Sequence, residues 1–415
     1  MPGAGGDRLS DLPDDLIHHI MYFLPAKDGA STCVLGRRWR SLWRASGAVN
    51  LDSRSYDHLD RHEKRRVIMR DAKEALAAAS PNITKLTFRY MEGEDDHPSA
   101  YLSPSFKDGV FEAKVGMAQG LEALLSGQAA RHLEELYIGL FYGPCSDTPW
   151  SKFLYPLSIG VLSSSTSLRV LHLSKCFDYD RVVRSQFPRL VELRLHLCSV
   201  SLGLLQGVID AAPLLATLHL DKSELFVGNP RVQRSLVMRC PRVATLTLAN
   251  FDCWVDNREN TMELDAPLLR HFTYEGPLRP LSLKSPQPSD VARVDLRLHF
   301  SAEVVPTDDK ACHKFVQAFS NAKIVKVNFI FFQKTHDTTS RSLYHQTNNT
   351  AVRTSNQQDY ELYFNYRITR IEDASGVGLS AKPPGRPPAK LNVVSFGCTL
   401  VYNGQPLVPQ EKTVF

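Results

Sequence analysis

From residue 80 onward one pattern of apolar and polar positions returns along the chain: an apolar residue, two variable ones, an apolar one, a variable one, an apolar one. Copies read Ile83-x-x-Leu86-x-Phe88, Leu133-x-x-Leu136-x-Ile138, Leu168-x-x-Leu171-x-Leu173 and Leu190-x-x-Leu193-x-Leu195. They continue as Leu215-x-x-Leu218-x-Leu220, Val243-x-x-Leu246-x-Leu248, Leu269-x-x-Phe272-x-Tyr274 and Val291-x-x-Val294-x-Leu296. The closing alternation predicts a short strand with one buried face. A proline stands five residues before the central apolar position at Pro81, Pro188, Pro213, Pro241 and Pro267. Because proline cannot continue a helix, each is expected to mark where a helix such as Leu202–Ile209 stops and the next strand begins.

The copies from Leu171 to Val294 are about 22, 25, 28, 26 and 22 residues apart, inside the roughly 20–29 residue period of leucine-rich repeats. One such unit cannot bury its apolar face alone, and stacked neighbours can. The fold class expected is therefore an α/β solenoid, a leucine-rich-repeat horseshoe over residues 81–300, with residues 301–332 a last repeat. Variable positions between the leucines then point out from the concave face in columns. One column runs His172, Arg194, His219, Thr247, Thr273, and the next Ser174, His196, Asp221, Ala249, Glu275. His172, Arg194, His196, His219 and Asp221 are the candidate target-binding residues. Imidazoles beside an arginine suit a carboxylate or phosphate, and a plain solvated sheet explains the same residues.

The first fifty residues follow a different period. Pro13 is preset for a first helical turn, Asp14 and Asp15 favour the positive end of the helix dipole, and Leu16, Ile17, Ile20, Phe23 and Leu24 make an apolar stripe that Pro25 ends. A second helical stretch, about Lys27 to Arg44, sets Val34, Leu35, Trp39, Leu42 and Trp43 among Arg37, Arg38, Arg40 and Arg44. About 40 residues cannot bury so much apolar surface unaided, so part of it is expected to face a partner.

These residues carry a resemblance. Leu12-Pro13-Asp14-Asp15, Ile20, Phe23-Leu24-Pro25, Lys27-Asp28, Val34-Leu35, Arg37-Arg38-Trp39-Arg40 and Leu42-Trp43 resemble the F-box of plant F-box/leucine-rich-repeat proteins. The match is ungapped over about residues 8–45, within an F-box assigned to residues 8–48 and followed by a helical linker over 49–80. The resemblance implies a helical hairpin that docks on a Skp-type adaptor and through it on a cullin–RING ubiquitin ligase, while the repeats hold the target protein. Carried over residue by residue, it implies that Leu12, Pro13, Ile17, Ile20, Leu24, Val34, Trp39, Leu42 and Trp43 form the docking or hairpin-core set, which sequence alone does not divide. Gly29, Cys33 and Gly36 depart from the family's pattern, and each interior glycine is expected to weaken a helix by about 1 kcal/mol. Phe315-Val316-x-x-Phe319-Ser320-Asn321-Ala322-Lys323-Ile324-Val325-Lys326-Val327 resembles the start of the FBD-like region of some relatives, which leaves residues 301–332 open as either the last repeat or a remnant of that region.

Residues 333–415 do not continue the repeat and read as a divergent, partly disordered tail. Residues 335–359 are rich in Thr, Ser, Asn and Gln, two strand-like pieces follow at Tyr360–Arg370 and Leu391–Tyr402, and Lys382–Pro388 reads as a proline-rich linker. Composition narrows the function classes. With 49 Lys+Arg against 44 Asp+Glu and 43% hydrophobic residues, the chain is neither bulk-disordered nor an electrostatic nucleic-acid binder. Its start lacks an apolar signal segment and no apolar run reaches a membrane span, so a cytoplasmic or nuclear protein is expected. Eight cysteines make no C-x-x-C pair, and no nucleophile elbow or phosphate loop occurs. His58 and His62, with Arg61 to Arg66, read as a solvated helix face. No catalytic residue, metal or cofactor is assigned. The expected function is the non-catalytic substrate-recognition subunit of a Skp–cullin–F-box ligase; the alternative is a repeat scaffold that recruits no ligase.

Overall fold

Pro13 opens the first helix, α1 (Asp14–Phe23), with Asp14 and Asp15 in its first turn and the amides of Leu16 and Ile17 donating to the Pro13 carbonyl. In the computed structural model Pro25 ends that run and begins α2 (Ala26–Ser31), which passes through a 3-10 turn (Thr32–Leu35) into α3 (Arg37–Ala45). The single stretch expected over Lys27 to Arg44 is therefore broken in the middle. The cause is Gly36, whose φ of 152° lies where a β-carbon is disfavoured.

The structure describes residues 11–79, 83–91, 104–141, 154–159, 162, 166–178, 186–226, 235–250, 252–254, 261–278, 281–285, 291–301, 315, 318–319, 322–336, 342–354, 361–363, 399–402 and 405–407. They belong to two compact units, Met1–Leu269 and Arg270–Phe415. In the first, parallel strands lie side by side in chain order: Ala48–Asp52, Lys85–Met91, Glu135–Phe141, Val170–Ser174, Glu192–His196, Thr217–Asp221 and Thr245–Ala249. The repeated leucines fall in register. Leu86, Leu136, Leu171, Leu193, Leu218 and Leu246 are successive partners and at most 1% exposed. Phe88, Ile138, Leu173, Leu195, Leu220 and Leu248 make a second buried row. Ala48–Asp52 adds an edge strand that the repeat pattern does not contain, and α4 (Arg61–Ala79) packs beside α5 (Pro104–Leu125).

The phased prolines open the turn into the next strand, whether or not a helix comes before it. Before the later strands, Phe187-Pro188-Arg189-Leu190, Ala212-Pro213-Leu214-Leu215, Cys240-Pro241-Arg242-Val243 and Ala266-Pro267-Leu268-Leu269 form turns in which the fourth amide donates to the first carbonyl at 3.0–3.3 Å. Proline fixes the φ that the second turn position needs. What precedes the turn varies: α6 (Leu202–Asp210), capped by Ser201 Oγ, comes before Pro213, whereas strands Ser235–Arg239 and Thr261–Asp265 come before Pro241 and Pro267. After the main strands the chain turns through Lys175, Leu197, Lys222 and Asn250, at φ 57°, 52°, 47° and 47°. It then enters a second layer of short parallel strands that includes Cys176–Asp178, Ser199–Ser201, Glu224–Phe226 and Asp252–Trp254.

In the second unit His271–Pro277, Arg293–Ser301 and Ile324–His336 are parallel neighbours, and Phe272 stacks on Phe319 at 5.1 Å. Ser342–Thr354 then pairs antiparallel with Ile324–His336. That strand lies in the Thr/Ser/Asn/Gln-rich stretch, where no apolar alternation announces it. Glu361–Tyr363, Thr399–Tyr402 and Gln405–Leu407 form a small antiparallel sheet; the proline-rich segment lies outside the described residues.

Candidate protein-docking surfaces

The N-terminal helices close on a small core. Ile17, Met21, Trp39 and Leu42 are buried, with Leu12, Leu24 and Trp43 packed against them. Gly29 is part of this packing: a β-carbon there would lie 2.6 Å from Cδ1 and Nε1 of Trp43. The two glycines expected to loosen the hairpin are thus steric requirements of it, one for a close approach and one for a turn. Arg38 holds α3 to the start of α1, donating to Asp14 Oδ1 at 2.7 Å and to the Leu12 carbonyl.

Closing that core leaves other apolar side chains outside. Leu16, Ile20 and Phe23 are 51%, 40% and 61% exposed on the outer side of α1, and Val34 and Leu35 are 88% and 60% exposed in the turn before α3. Leu16, Ile20 and Phe23 repeat at i, i+4, i+7, one helical face distinct from that of Ile17 and Met21. The implied set of nine therefore divides. Ile17, Trp39 and Leu42 are core, Leu12, Leu24 and Trp43 are half-buried, and Pro13, Ile20 and Val34 are exposed. Leu16, Phe23 and Leu35 are exposed beside them and were outside the set, although the i, i+4, i+7 spacing of the first two is legible in the sequence.

The helices are fastened to the sheet by polar groups. Asn50 Nδ2 donates to the carbonyls of Tyr22 and Leu24, at 2.8 and 3.1 Å. Lys27 donates to the Ser55 carbonyl at 2.9 Å and lies over the Tyr56 ring. The Lys85 ammonium sits 4.3, 5.1 and 5.5 Å from the ring centres of Tyr22, Phe23 and Tyr137. Burial lowers its pKa and Glu135 opposes that fall, while burial and Glu135 push Tyr22 up to about 12.

The face of the first unit's sheet opposite the leucines carries the predicted columns in register. His172 pairs with Arg194, Arg194 with His219, and His219 with Thr247; Ser174, His196, Asp221 and Ala249 follow in the next column. Their side chains are largely occupied with one another. Glu192 Oε1 lies 2.8 Å from His172 Nε2 and 2.5 Å from Arg194 Nε, and Asp221 Oδ2 is 2.7 Å from His196 Nδ1. The Tyr137 ring meets His172 edge-on at 4.5 Å. Burial lowers the His172 pKa despite Glu192, and burial together with Arg194 lowers that of His219. Burial favours protonated Glu192, but the hydrogen bond from His172 and the charge of Arg194 outweigh it and hold the carboxyl below its usual range. Among the described residues no group of three or more His, Cys, Asp or Glu side chains could hold a metal ion. His58 and His62 are exposed, whereas Lys64 in the same basic run is buried and paired with Asp57 at 2.6 Å.

Comparison with known proteins adds to this geometry. Residues 9–47 match the F-box domain, and residues 121–289 match the leucine-rich repeats of the FBD-associated F-box protein At5g56370. The putative F-box/LRR-repeat protein At5g41840 of Arabidopsis thaliana is 50% identical over 56 residues, 14% of this chain and 10% of that protein. F-box/LRR-repeat protein At3g59190 of Arabidopsis thaliana is 30% identical over 227 residues, 53% of this chain and 49% of that protein. F-box/LRR-repeat protein At3g58900, also of Arabidopsis thaliana, is 23% identical over 268 residues, 65% of this chain and 72% of that protein. The chain thus spans half or less of the length of the first two relatives.

Proposed function

The chain belongs to the plant F-box/leucine-rich-repeat proteins, and on that premise we propose that it is the substrate-recognition subunit of a Skp–cullin–F-box ubiquitin ligase acting in the cytoplasm or nucleus. F-box domains are in general modules that bind Skp-type adaptors, and the family is typically non-catalytic. In this reading the F-box spans residues 8–48 and docks on the adaptor, while the repeats stack as a solenoid over residues 81–300 and hold a target on their concave face near His172, Arg194, His196, His219 and Asp221. The ligase's own subunits then modify a target held at raised effective concentration.

One observation carries the adaptor reading: a helical unit with a complete small core still exposes Leu16, Ile20, Phe23, Val34 and Leu35 together with Pro13. Apolar side chains left outside a closed core are what an obligate docking partner covers. The alternative scaffold drew on Gly29 and Gly36 loosening the hairpin, and it loses that support because Gly29 serves the packing against Trp43 and Gly36 the turn into α3. The test is co-purification of the full chain with a Skp-type adaptor. A Leu16→Asp, Ile20→Asp, Val34→Asp variant should keep its thermal unfolding transition and lose the adaptor. Equal recovery of adaptor by this folded variant and the natural chain would refute the docking assignment.

A further inference from the structure

The helix α3 breaks a local electrostatic rule at its N-terminal end, and among the described residues no acidic side chain compensates for it. Arg37, Arg40 and Arg44 stand at i, i+3 and i+7, on the side of α3 opposite the buried Trp39 and Leu42, and all three are exposed. Like charges at such spacings repel along a helix, and Arg37 sits in the first turn, where the helix dipole favours an acid. α3 has no acidic residue in that turn, whereas α1 carries Asp14 and Asp15 in its own. The other nearby cations are accounted for: Arg38 by Asp14, Lys27 by the Ser55 carbonyl and the Tyr56 ring. Among the described residues none of Arg37, Arg40 and Arg44 has an ion-pair or side-chain hydrogen-bond partner. Uncompensated conflicts of this kind mark surfaces completed by another molecule.

The stripe follows directly on the exposed Val34 and Leu35, with only Gly36 between. We infer that Arg37, Arg40 and Arg44 form an electrostatic docking stripe for an acidic surface of the adaptor, continuous with the apolar patch and acting mainly on the rate of encounter. The inference rests on the adaptor reading above and deepens it: the apolar side chains hold the complex, and the guanidiniums guide the acidic partner to them. Exposed rim charges act on association and its salt dependence far more than on dissociation. A delocalised guanidinium also pairs with a carboxylate in a planar, two-point fashion that favours arginine over lysine.

The experiment is association and dissociation kinetics of the full chain with a purified Skp-type adaptor at low and high ionic strength. The comparison is between the natural chain and an Arg37→Glu, Arg40→Glu, Arg44→Glu variant, with an Arg→Gln version of the same three positions as the milder control. The association rate at low salt should fall about tenfold or more in the reversed variant and less in the neutral one. Dissociation should change by less than about threefold, and the salt dependence of association should flatten. Association unchanged in both variants, with the natural chain still binding, overturns the stripe and leaves the adaptor reading standing. Failure of the natural chain to bind the adaptor overturns that reading and the stripe with it. Capture of the natural chain by phosphatidylserine vesicles, lost in the reversed variant while adaptor kinetics stay fixed, also overturns it in favour of a lipid surface.

Discussion

At the scale of single residues, the fate of each apolar side chain in the F-box depends on its neighbours rather than its type. Leu16 and Ile17 are adjacent and equally apolar, yet one is half exposed and the other fully buried, because α3 packs on only one side of α1. The sequence places both in one apolar stripe and the family resemblance names only Ile17, whereas the fold buries Ile17 in the core and leaves Leu16 outside. Gly29 shows the opposite limit, since its role depends on an indole fourteen positions away in the chain that no helix propensity anticipates. Gly29→Ala should destabilise the N-terminal helices by about 1–3 kcal/mol through overpacking against Trp43. The check is equilibrium denaturation followed by tryptophan fluorescence, in which Trp43→Phe should recover part of the loss. The histidines of the sheet give a pH prediction with a definite sign. Burial lowers the pKa of His172 and His219 in the folded chain, so the unfolded chain binds protons more readily just below pH 6.5. Folding stability should therefore fall as pH drops from about 6.5 through the lowered folded values. Glu192, held below its usual pKa, adds stability above the carboxylate range that is lost only at lower pH. A His172→Asn, His219→Asn variant should show a flatter denaturation midpoint between pH 7.5 and 5.5 than the natural chain.

At the scale of elements, the strands were the legible part. The alternation in each repeat names the buried rows from Leu86 to Leu246 in their actual register, because a period of two cannot slip by one residue without exposing every leucine. The return segments were less legible, since a turn with proline in its second position follows a helix at Pro213 and a strand at Pro241. The marker fixes where each strand begins and says nothing about what came before. The left-handed corners escaped notice because lysine and leucine occupy positions where asparagine or glycine would have signalled them. At the matching corner Asn250 already has the residue that tolerates this backbone. Lys222 is exposed, so Lys222→Asn should stabilise the first unit by a few tenths to about 1 kcal/mol. A rise in denaturation midpoint with an unchanged denaturant slope is the expected reading, and a fall would contradict the account of the corner.

At the scale of the whole molecule, the second unit ends its run of strands with an antiparallel partner, Ser342–Thr354, along the full length of Ile324–His336. An uncovered strand with the sequence Ile-Val-Lys-Val-Asn-Phe-Ile-Phe-Phe would be a ready template for pairing with another chain. A chain truncated at residue 340 should therefore associate in a concentration-dependent way by light scattering, while the full chain does not. The Thr/Asn-rich composition of the covering strand hid it from the sequence, since its pairing is specified by the strand it covers. Within the first unit, the N-terminal helices and the repeat sheet are joined through Asn50, Lys27 and Lys85. On the proposed function these helices, and not the sheet face, receive the adaptor. Hydrogen–deuterium exchange of the full chain with and without a purified Skp-type adaptor tests it most directly. Slowed exchange confined to residues 14–45, with the amides of the Val170–Ser174, Glu192–His196 and Thr217–Asp221 strands unchanged, is the predicted result. Protection of those strands in place of the helices, or no protection anywhere at saturating adaptor, would contradict it.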